Sequence, residues 1–419
     1  MMIWIIILLL TIYFALAIKK PVVSLALILF LLPTYQIRFN VFFIPITFLE
    51  AMILLLLLAT LIRERVNFKN IYFSAPRRWR YLALAWILSA SLAVFVAPDK
   101  MAALGIWKAY FIEPVIFFFL FLFYSQSEKQ RKLFIYSLLG SAFYLSLYAI
   151  YQKFIGQGVY SLEAWPDVRV LRVTSLFSYP SALGLYLAPL ALLAIGCWQM
   201  AKNKIERIFL ILTIVFSVLA IIFARSEGAL VGLVVGAFCL GIFYSPWRRR
   251  TIIIALLAAI VFIGLYLSVL QIKNYLYPKI TFNDFSSQVR LGVWRESINM
   301  LKDNFVFGAG LAGYQKIMPP YHKINYVEIY LYPHNIFLNF WSELGLLGLI
   351  IFLWLIYNFF ALARSKISEA KNKNLPYLWR VVIIGAMIVI LTHGLVDAPY
   401  FKNDLAIIFW LITALNLTV

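Results

Sequence analysis

Long apolar runs, separated by short polar stretches, recur along the whole 419-residue chain. They fall at 2–18, 21–32, 41–62, 81–97, 109–124, 133–155, 176–199, 208–224, 228–245, 251–270, 336–360, 381–397 and 405–418. A helix needs roughly 20 mostly apolar residues to cross a bilayer, so most of these runs read as spans. The second and last are short, and the stretch near Pro33 suits a half-buried or re-entrant piece. The first run lacks a basic start and a small-residue cleavage site, so it reads as a retained helix. The pattern therefore predicts an all-α fold, a polytopic transmembrane helical bundle of about 12–13 spans.

The polar stretches carry a second pattern. Alternate loops are basic: Arg63, Arg65, Lys69, Arg77, Arg78 and Arg80; then Lys129, Arg131 and Lys132; then Lys202, Lys204 and Arg207; then Arg248, Arg249 and Arg250; then Arg364, Lys366, Lys371, Lys373 and Arg380. Basic loops stay in the cytoplasm. Loops 98–108, 156–175, 225–227, 271–335 and 398–404 are then expected outside. Only the loop from 271 to 335 is long, and loops of that length are usually functional. Its middle, 287–304, has helical spacing, with Val289, Trp294, Ile298 and Leu301 on one apolar side. No repeat or linker divides the chain, so residues 1–419 are expected to form one integral-membrane domain.

Composition agrees. The chain is 64% hydrophobic and 13% charged, against about half and a quarter for a soluble domain. A net charge of +20 could point to nucleic acid, but the basic loops account for it as a topology signal. Nucleic acid is not an expected partner; membrane lipids are. Cys197 and Cys239 sit inside apolar runs and read as packing residues.

Chemistry concentrates on the expected outer face. Arg38, Arg169, Arg172, Arg225, Arg290 and Arg295 lie there, where arginine either anchors at the interface or binds an anion through its planar donors. Arg225 ends a long run, and a charge at the bundle wall needs a partner such as Glu227 or a bound anion. His334 and Asn335 stand where the long loop re-enters the membrane. Here His334 is either a helix-start cap or a proton acceptor. Glu343 lies inside the following span, where an acidic residue is costly and usually paired or functional. His393 and Asp397, four apart, suit a structural hydrogen bond, and His322 suits a solvated loop position. The stretch Gly308 to Gly313 matches G-x-G-x-x-G, but no strand precedes it, so it reads as a tight turn. No cluster has metal-ligand spacing and no Walker loop is present, so neither a metal nor any other cofactor is expected.

Several segments, in order, resemble the O-antigen ligase and polymerase superfamily. Pro333-His334-Asn335, followed by Leu338, Glu343, Gly345 and Gly348, is similar to its H-N-x-x-L-x-x-x-x-E-x-G-x-x-G signature. Arg290, Trp294 and Gly308-Ala309-Gly310 resemble its R-x-x-x-W segment ending in G-x-G. Residues 175–184 resemble F-x-N-P-N-x-x-G, with Tyr179 and Ser181 in place of the asparagines. Residues 224–229 resemble S-R-G-A, with Glu227 inserted, and residues 393–397 resemble the last signature.

The resemblance implies a metal-independent membrane glycosyltransferase in the bacterial inner membrane, working at the periplasmic or extracellular face. The donor would be a glycan on polyprenyl diphosphate, and the acceptor a hydroxyl of a glycan or of lipid A core. It implies that Arg225 and Arg290 hold the diphosphate and that His334 serves as base or orienter. Arg169, Arg172, Arg295, Asn335 and Glu343 would contact substrate. Trp165, Trp294, Tyr314, Tyr321 and Tyr326 could stack on sugars or form an interfacial belt. Alternatives are a polysaccharide polymerase and, from another class, a transporter or flippase; no internal symmetry of the transporter kind is visible.

Overall fold

The computed structural model describes residues 2–41, 44–63, 68–162, 169–324, 326–373 and 377–418. Arg65 and Trp165 lie outside the described residues, as does the side chain of Arg169. Each apolar run becomes a helix: α1 (Met2–Lys19), α2 (Pro21–Phe30), α3 (Phe48–Arg63), α4 (Phe68–Tyr72), α5 (Arg77–Val96), α6 (Lys100–Ile106), α7 (Glu113–Tyr124), α8 (Glu128–Ile155), α9 (Pro180–Met200), α10 (Lys204–Phe223), α11 (Glu227–Phe243) and α12 (Ser245–Ser268). After the long loop follow α16 (Ile336–Asn372), α17 (Leu378–His393) and α18 (Asn403–Thr418). A π-helical stretch, Trp107–Ile112, joins α6 to α7.

Seven of these helices, α6 and α7 counting as one, are long and apolar enough to cross a membrane, and five shorter apolar helices accompany them. The shorter ones have physical causes. At about 1.5 Å per residue, 16-residue α17 reaches only about 24 Å, against a hydrocarbon core of about 30 Å. The sequence places a span to residue 397, but the helix stops at His393 because residues 394–402 leave as an irregular strap. The start expected at residue 41 is taken by two antiparallel strands, β1 (Arg38–Val41) and β2 (Ile44–Thr47), paired from Arg38↔Thr47 to Val41↔Ile44. A second pair, β3 (Val159–Leu162) and β4 (Arg169–Arg172), crosses the loop after α8.

Loops gather at two ends, in the alternation that the basic residues predict. At one end Lys132 pairs with Glu206 at 2.7 Å, Ser245 N donates to the Tyr377 hydroxyl at 2.9 Å, and Lys366 Nζ donates to Asn416 O at 3.0 Å. At the other, Lys316 pairs with Asp99 at 2.6 Å, Arg172 Nε donates to Ala224 O at 2.9 Å, and the Tyr275 hydroxyl donates to Glu227 at 3.0 Å.

The long loop holds α13 (Leu270–Ile280), α14 (Phe285–Asp303) and α15 (Tyr314–Ile317). Asp284 caps α14 by accepting from Ser287 N. The buried stripe of α14 is Val289, Val293, Ser297, Met300 and Leu301; Ile298, expected on that side, is exposed. The G-x-G-x-x-G stretch is a turn, as its lack of a preceding strand predicts. It is clamped to α16 where that helix breaks at Gly345 (φ 69°). Ala309 N donates to Ser342 O at 2.6 Å, and a Cβ on Gly345 would stand 2.3 Å from Val306 O. Only glycine fits that backbone without strain.

Candidate functional site

The break between α17 and α18 builds the centre of the site. Ile336 N donates to Gly394 O at 2.6 Å, and Asn335 Nδ2 donates to Leu395 O at 3.0 Å, so the strap lies along the start of α16. Asn335 also caps α16, its Oδ1 accepting from Phe337 N at 3.0 Å and Leu338 N at 3.1 Å. The capping duty weighed for His334 thus belongs to its neighbour. His334 sits in the left-handed region (φ 49°), and its Nδ1 lies 3.3 Å from Asp397 Oδ1. Its side chain stays 34% exposed while that of Asp397 is 7% exposed. Tyr330 packs edge-on against the imidazole, ring centres 4.9 Å apart.

Burial would push the Asp397 carboxyl up, but the His334 hydrogen bond, nearby His393 and the Ala398 N–H at 2.8 Å hold it down at about 2. It is therefore ionised at neutral pH and holds the N–H of His334 at Nδ1, which leaves Nε2 as the proton acceptor. The His393–Asp397 hydrogen bond expected from their spacing does not form. Those atoms stand 3.8 Å apart, because Asp397 has left the helix and turned to His334.

Arg290 reaches the same strap, with Nε donating to Val396 O at 3.3 Å and Nη1 to Ser286 Oγ at 2.8 Å. Trp294, a turn further on, donates to Pro333 O at 3.0 Å and fixes the residue before His334. Arg225 is exposed in the α10–α11 turn with φ 48°, and Arg172 Nη2 donates to its carbonyl at 3.3 Å. Glu227, weighed as the partner of Arg225, is instead bound by Lys279 and Tyr275 of α13. Gly228 lets this turn approach the site: a Cβ there would meet His393 Cδ2 at 2.7 Å.

The remaining candidates separate. Arg295 is exposed on α14 with no hydrogen bond or ion pair among the described residues. Arg169 pairs with Leu162 in the small sheet. Glu343 is fully buried, and its carboxylate accepts from Ala312 N at 2.7 Å and Tyr314 N at 3.4 Å, so it ties the glycine turn to α16. Tyr314 is also buried, its hydroxyl 2.7 Å from Ser297 Oγ, and offers no ring to a sugar. His322 is not simply solvated; its ring nitrogens face Glu296 at 3.1 Å and Val327 O at 2.8 Å. Asp397 is the residue whose role the sequence did not reveal, although it stood in a recognised segment. A cavity of about 770 Å³, lined in part by Tyr357, Arg364, Ser368 and Lys373, sits at the opposite end of α16 and contains none of these groups.

Fold and site together define a polytopic α-helical membrane protein in which His334, Asp397, Arg290 and Arg225 gather at one end of the bundle. The family model of the O-antigen ligases matches residues 212–353, a stretch that holds Arg225, Arg290, His334 and Glu343. A Rickettsia conorii protein named as a candidate polysaccharide ligase is 26% identical over 215 residues, 48% of this chain and 51% of that protein. The alignment thus spans about half the length of that relative. Over residues 212–353, about a third of its length, the chain is similar to the O-antigen ligase family.

Proposed function

We propose that this protein transfers a glycan from a polyprenyl-diphosphate donor to an acceptor hydroxyl at the outer face of the bacterial inner membrane. The observation that carries the reading is the His334–Asp397 pair on a strap that Arg290 also grips. Asp397 fixes the tautomer, and His334 Nε2 takes the proton of the acceptor hydroxyl. The acceptor oxygen attacks the anomeric carbon, the bond to the diphosphate oxygen breaks, and the configuration inverts. Arg290 and Arg225 stabilise the charge that develops on the leaving diphosphate. Arg172 supports the Arg225 turn, Arg295 extends the basic face, and Asn335 and Glu343 hold the backbone that presents His334.

Backbone strain supports this placement. Ser175, Arg225 and His334 all have positive φ and all lie in the recognised segments. Each such conformation costs on the order of 1–3 kcal/mol and tends to persist at functional positions. The test is reconstitution with a polyprenyl-diphosphate glycan, following release of polyprenyl diphosphate with and without acceptors. Product on lipid A core identifies a ligase; a ladder still on polyprenyl diphosphate identifies a polymerase. No acceptor-dependent release overturns the reading.

A further inference from the structure

The strap that carries Asp397 ends in a second polar cluster that the proposed chemistry does not use. Lys402 lies with its ammonium 4.1 Å from the ring centre of Phe177, 5.0 Å from that of Tyr35 and 5.7 Å from that of Tyr179. These rings come from the segment before α9 and from the turn after α2, both at the same end of the bundle as His334. The Lys402 side chain is 11% exposed and that of Asp404 is fully buried; they form a long ion pair at 3.7 Å. Lys402 Nζ and both carboxylate oxygens of Asp404 are buried without a hydrogen-bond partner among the described residues.

Buried polar atoms are nearly always satisfied, and an ammonium has three donors to place. Ring faces attract the cation but accept no strong hydrogen bond from it. Three atoms without a hydrogen bond, one donor group beside one acceptor group, suit a ligand that both donates and accepts at adjacent positions. Vicinal sugar hydroxyls do this: one accepts from Lys402 while its neighbour donates to Asp404. The rings supply the apolar face on which a pyranose stacks. Tyr179, whose ring lies 5.7 Å from the ammonium, is 41% exposed and is the outermost ring of the three. An anion fits poorly, because Asp404 lies beside the ammonium and Asp397 acts on Lys402 as well.

We propose that Lys402 and Asp404, with Tyr179, Phe177 and Tyr35, form the subsite that binds a neutral pyranose of the acceptor glycan. The assignment to the acceptor rests on the proposed transfer reaction. The arginines reach the site from α14 and the α10–α11 turn and take the donor diphosphate. Lys402 is five residues along the strap from the carboxylate that orients the base, where the acceptor must lie.

The test uses the full chain in nanodiscs, as wild type, Tyr179→Ala and the double variant Lys402→Met with Asp404→Asn. One arm measures transfer at varied acceptor and donor. The other titrates lipid-free oligosaccharide, released by mild acid from the host's own surface polysaccharide, by calorimetry. Both variants should raise the acceptor KM by about tenfold to a hundredfold, as expected for lost hydrogen bonds and stacking. The donor KM should stay within about twofold, and oligosaccharide binding should be lost. Tyr179→Ala removes only an exposed ring, so it keeps the test valid if the double variant does not fold. Unchanged acceptor KM and binding, or a shift in donor KM instead, overturns the subsite. A wild type that binds oligosaccharide but transfers nothing refutes the transfer reading and leaves the subsite standing.

Discussion

At the scale of single residues, the site turns on how His334 is held. Its Nδ1 faces an ionised Asp397 and its outer edge is open. If it accepts the acceptor proton, His334→Ala should lose about 10²–10⁴ in rate with donor binding nearly unchanged. Activity of the wild type should fall on the acid side, since a protonated imidazole accepts nothing. Asp397→Asn removes the charged acceptor that keeps the N–H of His334 at Nδ1, so the rate should drop. A pH–rate profile of Asp397→Asn that overlays the wild type would remove Asp397 from the mechanism. His334→Gln at full rate would remove His334. The arginines make a separate prediction. Arg290→Lys and Arg225→Lys keep the charge but lose the two-pronged geometry. Each should cost about 1.5–3 kcal/mol, or roughly ten- to a hundredfold in rate. Wild-type turnover in both would make them interfacial anchors.

At the scale of elements, the positions of the helices were legible and their interruptions were not. Apolar runs near 20 residues reveal spans because lipid tolerates few alternatives. The end of α17 at His393 was not legible, since Leu395 and Val396 continue the apolar pattern in the strap. The His334–Asp397 pair escaped for the same reason. It joins residues 63 positions apart, and the nearer candidate, His393, matched helical spacing on a helix that had already ended. The break at Gly345 was visible only as a glycine, yet it lets Val306 approach α16. Gly345→Ala should therefore destabilise the protein by on the order of 1–3 kcal/mol, through the strained φ and the contact with Val306 O. Gly264 of α12 provides the contrast, because a Cβ there meets nothing within 4 Å. Gly264→Ala should be neutral or stabilising by up to about 1 kcal/mol. Thermal unfolding in detergent, followed by tryptophan fluorescence, separates the two; equal midpoints would show that the clamp contributes nothing.

For the whole molecule, the arrangement requires one end of the bundle to face outward. His334, Asp397, Arg290, Arg225 and Lys402 lie at the end where the long loop packs, while the basic loops bond to each other at the opposite end. Anionic lipid and the membrane potential hold basic loops inside, so the sequence alone already implies which end is outside. The structure adds that both sets of loops segregate in space, as a single orientation demands. After replacing Cys197 and Cys239, single cysteines at Asn299 on α14 and Ser365 on α16 test it; both positions are exposed. An impermeant thiol reagent applied to intact spheroplasts should label the cysteine at 299 and spare that at 365, and detergent should make both react. The proposed transfer needs this orientation. In it the donor diphosphate would meet Arg290 and Arg225 at the outer leaflet, with the acceptor reaching His334 from the same side. Labelling at 365 but not at 299 would place the histidine and both arginines on the cytoplasmic side. No acceptor displayed at the outer face could then reach Nε2, and the transfer reaction would fail together with the topology.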